Sequence, residues 1–185
     1  MENRKIIRPP FTDEVIRELH AGDMVFISGT IYTARDAAHK RLCEMLARGE
    51  EMPFDFAGQA VYYAGPAPAK PGRPIGSVGP TTGGRMDAYS PTLIAQGLRV
   101  MIGKGLRSKE VVDALKQYTG VYFAAIGGAA ALMAQAVKKA QVIAFDDLGT
   151  EAIRRLEVEN LPVIVAIDCH GNDAYAQGRA QYERP

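Results

Sequence analysis

Three short stretches of this chain set a basic side chain where a strand gives way to a turn or a helix. Thr33-Ala34-Arg35 puts a guanidinium in the first turn of a helix, Gly79-Pro80-Thr81-Thr82-Gly83-Gly84-Arg85 puts a second after a glycine-rich turn, and Gly103-Lys104-Gly105 flanks a lysine with glycines. In an open α/β sheet, ligands bind beyond the carboxyl ends of the strands, where the first-turn amides of the following helices carry a partial positive charge. Arginine offers a planar fork that matches a carboxylate and lysine a compact charge, so the mixture suits a small anion with two acidic groups. Glycine lets the backbone come close to such a ligand. Gly79 to Arg85 lacks the Gly-Lys-Ser/Thr ending of a phosphate-binding loop, which argues against a nucleotide.

His39 lies one turn beyond Arg35 on the same helical face, and Cys43 one turn further. His39 reads either as an orienting hydrogen bond beneath the anion site or as a partly buried histidine satisfied locally. Asp168-Cys169-His170 follows the last strand, where a metal role is conceivable, but His170-Gly171-Asn172-Asp173 reads first as turn chemistry. No metal site is assigned. Cys43 and Cys169 stand far apart, without the paired spacing of a zinc site or disulfide framework, and are expected to be reduced thiols.

The elements that must position these groups alternate. Val25 to Tyr32 reads as a strand and Ala34 to Arg48 as a helix, with Thr33 as cap and Asp36 three residues later. The stretch from Pro53 to Gly84 is rich in Pro and Gly, with short strands expected at Gln59 to Tyr63 and Ile75 to Val78. Ser90-Pro91 opens a helix to about Gly97. Strands at Val100 to Ile102, Val121 to Ile126 and Val142 to Phe145 are each followed by a helix, at Ser108 to Tyr118, Ala129 to Lys139 and Thr150 to Glu159, before a last strand at Val163 to Ile167. This pattern predicts an α/β fold with a mostly parallel sheet in its second half. The polar tail from Asn172 is expected to fray.

With 185 residues and 47% hydrophobic content, residues 1–185 are expected to form a single domain. The 22 Lys and Arg nearly balance the 21 Asp and Glu, which excludes a strong field for nucleic acid or a membrane surface. No apolar run approaches the roughly 20 residues of a membrane helix, and the opening Met1-Glu2-Asn3-Arg4-Lys5 lacks a signal-peptide core, so a cytoplasmic location is expected.

Three motifs together resemble one family. Gly29-Thr30-Ile31-Tyr32-Thr33-Ala34-Arg35-Asp36-Ala37-Ala38-His39, Gly79 to Asp87 and Ile102-Gly103-Lys104-Gly105 resemble the beta subunits, or C-terminal domains, of class I fumarases and L-tartrate dehydratases, as does the ending Asp168 to Asp173. The resemblance runs from about Arg4 to Tyr175. It implies a swivelling β/β/α domain and reversible hydration of fumarate to malate. It implies a 4Fe-4S cluster held by the cysteines of a separate alpha subunit, with the active site at the junction; two thiols cannot supply the usual cluster ligands. By the same resemblance Thr81 and Lys104 are catalytic, Arg35, Arg85 and Lys104 bind substrate, and His39 and Asp87 stand behind them. Two other readings stay open, an L-tartrate dehydratase beta subunit and a stand-alone small-anion-binding or regulatory domain. Homodimerisation is also left open.

Overall fold

The computed structural model describes residues 5–183. The strands are β1 (Lys5–Ile7), β2 (Met24–Thr33), β3 (Ala60–Tyr62), β4 (Val100–Gly103), β5 (Val121–Ala124), β6 (Val137–Ala144) and β7 (Ile153–Ile167). The helices are α1 (Asp13–Arg17), α2 (Asp36–Ala47), α3 (Ser90–Ala95), α4 (Lys109–Gln117), α5 (Ala130–Ala136) and α6 (Ala174–Tyr182), with 3-10 turns at Gly83–Met86 and Asp146–Glu151. Among the described residues no helix is long and apolar enough to cross a membrane.

Among the described residues all strands join one seven-stranded sheet in the order β1-β2-β3-β4-β5-β7-β6, and β7 pairs with β2 as well. The pairs from β1 through β5 are parallel, whereas β7 runs antiparallel to β2, β5 and β6. The pairings therefore close a ring of β2, β3, β4, β5 and β7. Because β2, β3, β4 and β5 are parallel, the segments that leave their carboxyl ends emerge on one edge.

Side chains alternate across a strand, and here the alternation divides the interior in two. Ala60, Tyr62, Val100, Ile102, Val121 and Phe123 join a core with Val25, Ile27 and Ile31 of β2 and Leu156, Val158 and Val163 of β7. Their neighbours Val61, Tyr63, Met101 and Tyr122 pack instead against Leu42 of α2, Leu93 and Ile94 of α3, and Leu115 of α4. Strands buried on both faces read as unbroken apolar runs, as Val100 to Ile102 does. Helix α4 presents Val111, Ala114 and Leu115, spaced three and four apart, to the sheet.

The second half departs from the sequence expectation. Thr150 to Glu159 is not a helix: β7 starts at Ile153 and runs for 15 residues. In that half β4 and β5 pair in parallel as expected, but β7 is antiparallel to β2, β5 and β6, so the sheet is mixed and its parallel part runs from β1 to β5. Leu156, Val158, Leu161, Val163 and Val165 are buried with a period of two, broken once at Asn160, which takes a φ of 53°. That break hides the alternation, while pairing along both edges with β2, β5 and β6 supplies the hydrogen bonds a helix would have supplied. Helix α5 ends at Ala136 and does not reach Lys139, because β6 begins at Val137 and takes in the strand expected at Val142.

Ile75 to Val78 forms no strand; Gly76 and Ser77 bond to Ala67, and Val78 N–H bonds to the Ala130 carbonyl. Thr33 is the last residue of β2 and its Oγ1 accepts from Arg154 N–H at 3.2 Å, so it does not cap α2. Ser90 lies inside α3 and donates to the Met86 carbonyl at 2.9 Å, so it is no cap either. The tail from Asn172 is helical, since Asp173 accepts the amides of Tyr175 and Ala176 at the start of α6.

Candidate functional site

Arg35 leaves the end of β2, Gly65 follows β3 and Lys104 follows β4, so the parallel register brings the three segments to one edge. The Arg35 side chain is only 23% exposed. Its Nε lies 3.7 Å from Asp36 Oδ2 and its Nη2 3.7 Å from Glu151 Oε1. Both separations exceed a hydrogen bond, and among the described residues the buried Nε has no acceptor. Gly65 packs closely against it: a Cβ there would stand 3.0 Å from Arg35 Nη1. Arg85 reaches the same cluster, its Nε donating to Asp36 Oδ1 at 2.8 Å.

The glycine-rich segment is stitched to the sheet through its backbone. Thr81 N–H donates to the Tyr63 carbonyl at 2.6 Å, Lys104 N–H to the Thr81 carbonyl at 3.2 Å, and Gly83 N–H to the Lys104 carbonyl at 2.7 Å. Thr81 and Lys104 are thereby held side by side, with the Lys104 side chain exposed. Gly83 must lack a side chain, since a Cβ would come 2.4 Å from Tyr122 Oη and 2.8 Å from Arg107 Cδ. The structure thus joins Arg35 and Arg85 through Asp36, and Thr81 and Lys104 through paired backbone. Tyr175 of α6 closes over this edge, its hydroxyl accepting from Gly105 N–H at 3.2 Å.

His39 is fully buried and its Nδ1 lies 2.9 Å from the Arg35 carbonyl. A carbonyl can only accept, so the ring proton sits on Nδ1, and among the described residues Nε2 has no hydrogen-bond partner. Burial pushes the His39 pKa down to about 4, with the Arg107 charge adding to the effect and the Arg35 carbonyl and Asp36 opposing it. The ring is neutral at pH 7 and holds the backbone of Arg35. Asp87 does not face the open edge; it accepts from Arg107 Nε at 2.6 Å and from Ser108 N–H at 2.6 Å.

Sequence reasoning missed Arg107 and Glu151. Arg107 stands just before the start of α4, where the helix dipole disfavours a cation, and that misplacement was a usable signal. Glu151 Oε2 accepts Ala37 N–H at 2.9 Å and so caps α2 from 114 residues away; reading its segment as a helix concealed this.

Among the described residues no group of three or more His, Cys, Asp or Glu is placed to hold a metal ion. Cys43 and Cys169 are free, and burial raises the pKa of both thiols. Two separate protonated thiols do not fit an iron-sulfur cluster, whose ligands are thiolates. Asp168 is occupied by the amides of Ala21, His170 and Asn172 and by Asn172 Nδ2, which agrees with turn chemistry. Burial alone would raise its pKa, but these hydrogen bonds hold it below the usual carboxylate value.

A family model described as Fumarase C-terminus matches residues 3–178. The chain is 45% identical over 169 residues to fumarate hydratase 1, mitochondrial, of Leishmania major, covering 89% of this chain and 31% of that protein. It is 44% identical over 153 residues to the aerobic class I fumarate hydratase of Salmonella typhimurium, covering 82% of this chain and 26% of that one. To a putative L(+)-tartrate dehydratase subunit beta of Methanocaldococcus jannaschii it is 41% identical over 180 residues, covering 94% of this chain and 92% of that subunit. The chain therefore spans less than a third of the two fumarate hydratases and nearly the whole of the beta subunit.

Proposed function

This chain belongs to the fumarase C-terminus family, and on that premise we propose that it is the beta-type component of an iron-sulfur hydro-lyase that interconverts fumarate and malate in the cytoplasm. The observation that carries the reading is Arg35, a mostly buried guanidinium with an unpartnered Nε at the carboxyl edge of parallel strands, beside Arg85. A buried donor without an acceptor is costly, and a carboxylate from the substrate would remove that cost.

Arg35 and Arg85 bind the substrate carboxylates, and Lys104 holds a carboxylate or hydroxyl oxygen. Removing the proton next to a carboxylate builds negative charge on it, so preorganised cations stabilise the transition state more than the ground state. Thr81 abstracts or relays that proton through its hydroxyl, with the Lys104 charge favouring the alkoxide. The 4Fe-4S cluster lies on a partner alpha subunit, since neither cysteine of this chain fits one. The layered sheet is the swivelling β/β/α domain that presents these residues to the partner. A second reading, L-tartrate as substrate, is favoured by the match to the M. jannaschii subunit.

The test is to assay fumarate hydration and L-tartrate dehydration by the chain alone, with metals removed, and after mixing with a cluster-loaded alpha subunit. Activity only on mixing is expected, with fumarate turned over faster than tartrate. Hydration by the metal-free chain alone would sink the reading. Inactivity of the mixture on both substrates, with anion binding retained, would favour a stand-alone anion-binding domain.

A further inference from the structure

Arg107 lies behind the candidate site with its side chain wholly buried, 0% exposed. Its Nε donates to Asp87 Oδ1 at 2.6 Å and its Nη2 to Ser90 Oγ at 2.7 Å. The guanidinium sits 4.6 Å from the Tyr122 ring centre and 5.3 Å from that of Tyr63. Asp87, Ser90 and Tyr63 are tied to segments that carry candidate site residues. Asp87 directly follows the turn that holds Arg85 and also accepts Ser108 N–H at the start of α4, four residues beyond Lys104. Ser90 has one proton, which goes to the Met86 carbonyl, so Tyr63 donates its hydroxyl proton to Ser90 Oγ at 3.1 Å. The carbonyl of that same Tyr63 receives Thr81 N–H.

A buried guanidinium is an expensive way to fill space. Here Nη1 of Arg107 and Oη of Tyr122 have no hydrogen-bond partner among the described residues, and apolar residues of similar volume often replace buried charges without loss of stability. What a planar fork supplies and a methionine does not is direction: from just before α4, two donors at a fixed angle reach Asp87 and Ser90 on the stretch that follows the Gly83–Met86 turn. We propose that Arg107 is a positioning residue that clamps the Gly83–Met86 turn against the start of α4, setting Arg85 and Thr81 relative to Lys104. Its consequence for substrate rests on the function proposed above; the clamp itself does not.

The test compares amide NMR spectra and malate affinity for the full chain and two variants, well below their unfolding temperatures. In Arg107→Lys, which keeps the charge and loses the fork, the amides of Gly83, Arg85, Lys104 and Ser108 should move while those of β6 stay in place. Malate affinity should fall about tenfold, the size of one mispositioned charged contact. Ser90→Ala removes one arm of the clamp and leaves the Asp87 pair, so it should move the same amides, and it decides the question if Arg107→Lys does not fold. A folded variant with a lower unfolding temperature but unmoved site amides and unchanged affinity would make Arg107 a stabilising residue only and overturn the proposal. Should the wild-type chain bind no malate even in complex with a cluster-loaded alpha subunit, the substrate reading fails, and the clamp is judged on the amide shifts alone.

Discussion

Arg85 Nε and Asp36 Oδ1, 49 residues apart in the chain, meet at 2.8 Å. Asp36 Oδ2 also lies 3.7 Å from Arg35 Nε. One protein carboxylate therefore stands between the two arginines, partly neutralising in the free chain the charges that would hold a substrate carboxylate.

Removing that charge should strengthen non-selective anion binding. Opposite charges about 4 Å apart interact by roughly 1 kcal/mol at high dielectric, which corresponds to about fivefold in affinity. Asp36→Asn is expected to bind inorganic phosphate about fivefold more tightly at low ionic strength, with the gain shrinking as salt rises. Titration calorimetry checks this; unchanged or weaker phosphate binding would show that Asp36 does not compete for the arginines.

Arg85→Lys keeps charge and loses the fork. In the complex with an alpha subunit, kcat/KM should fall about 30-fold or more, equivalent to about 2 kcal/mol or more of lost charged contact. Stability should hardly move, because the Arg85 side chain is 51% exposed and exposed pairs contribute about 0 to 1 kcal/mol. Melting temperature and turnover measured on one preparation separate the two effects. A variant that assembles normally and keeps turnover within about threefold of wild type would remove Arg85 from the site.

His39 links stability to pH. Its pKa is about 4 in the folded chain against the ordinary histidine value of 6.5, so below pH 6.5 the unfolded chain takes up a proton that the folded chain does not. Stability is therefore lost as pH falls from 6.5 toward 4, by about 2 kcal/mol between pH 7 and pH 5. Urea unfolding at both values should show that loss in wild type and a loss smaller by about this amount in His39→Gln. Equal losses in the two proteins would mean that His39 titrates normally.

Gly83 and Tyr122 should couple. The Cβ of Gly83→Ala would meet Tyr122 Oη at 2.4 Å, and such overpacking costs about 1 to 3 kcal/mol. Tyr122→Phe removes a buried hydroxyl that has no partner, so alone it should be close to neutral. In the double variant part of the Gly83→Ala cost should disappear. A double-mutant cycle of chemical denaturations with no coupling would place the clash elsewhere, at Arg107 Cδ.

The parts of the fold legible in the sequence were those whose signal is local. The run Val100-Met101-Ile102, the helix from Lys109 to Gln117 with its three-and-four spacing, and β2 followed by α2 all appear where periodicity predicts them. Arg35, Arg85 and Lys104 were picked out because a basic group beside glycine or at a helix start is itself a local pattern, whereas Thr81 was singled out by the resemblance of its motif. Arg35 and Lys104 reach one edge because β2, β3 and β4 are parallel, and Thr81 and Arg85 join them through bonds to Tyr63, Lys104 and Asp36.

What the sequence did not disclose depends on partners far along the chain. Nothing within Thr150 to Glu159 says strand until β2 and β6 are present to pair with β7. Thr33 gives up its capping role to bond with Arg154, 121 residues away, and α2 is capped instead by Glu151 across 114 residues. Arg107 reads as one more surface charge until Asp87, Ser90, Tyr63 and Tyr122 close around it. The sequence by itself determined which residue types stand at strand ends and helix starts, because caps, glycines and periodicity act within a few residues. Only the tertiary structure decided which carboxylate meets which guanidinium and which cation is buried, because those choices are made by the sheet's long-range pairing.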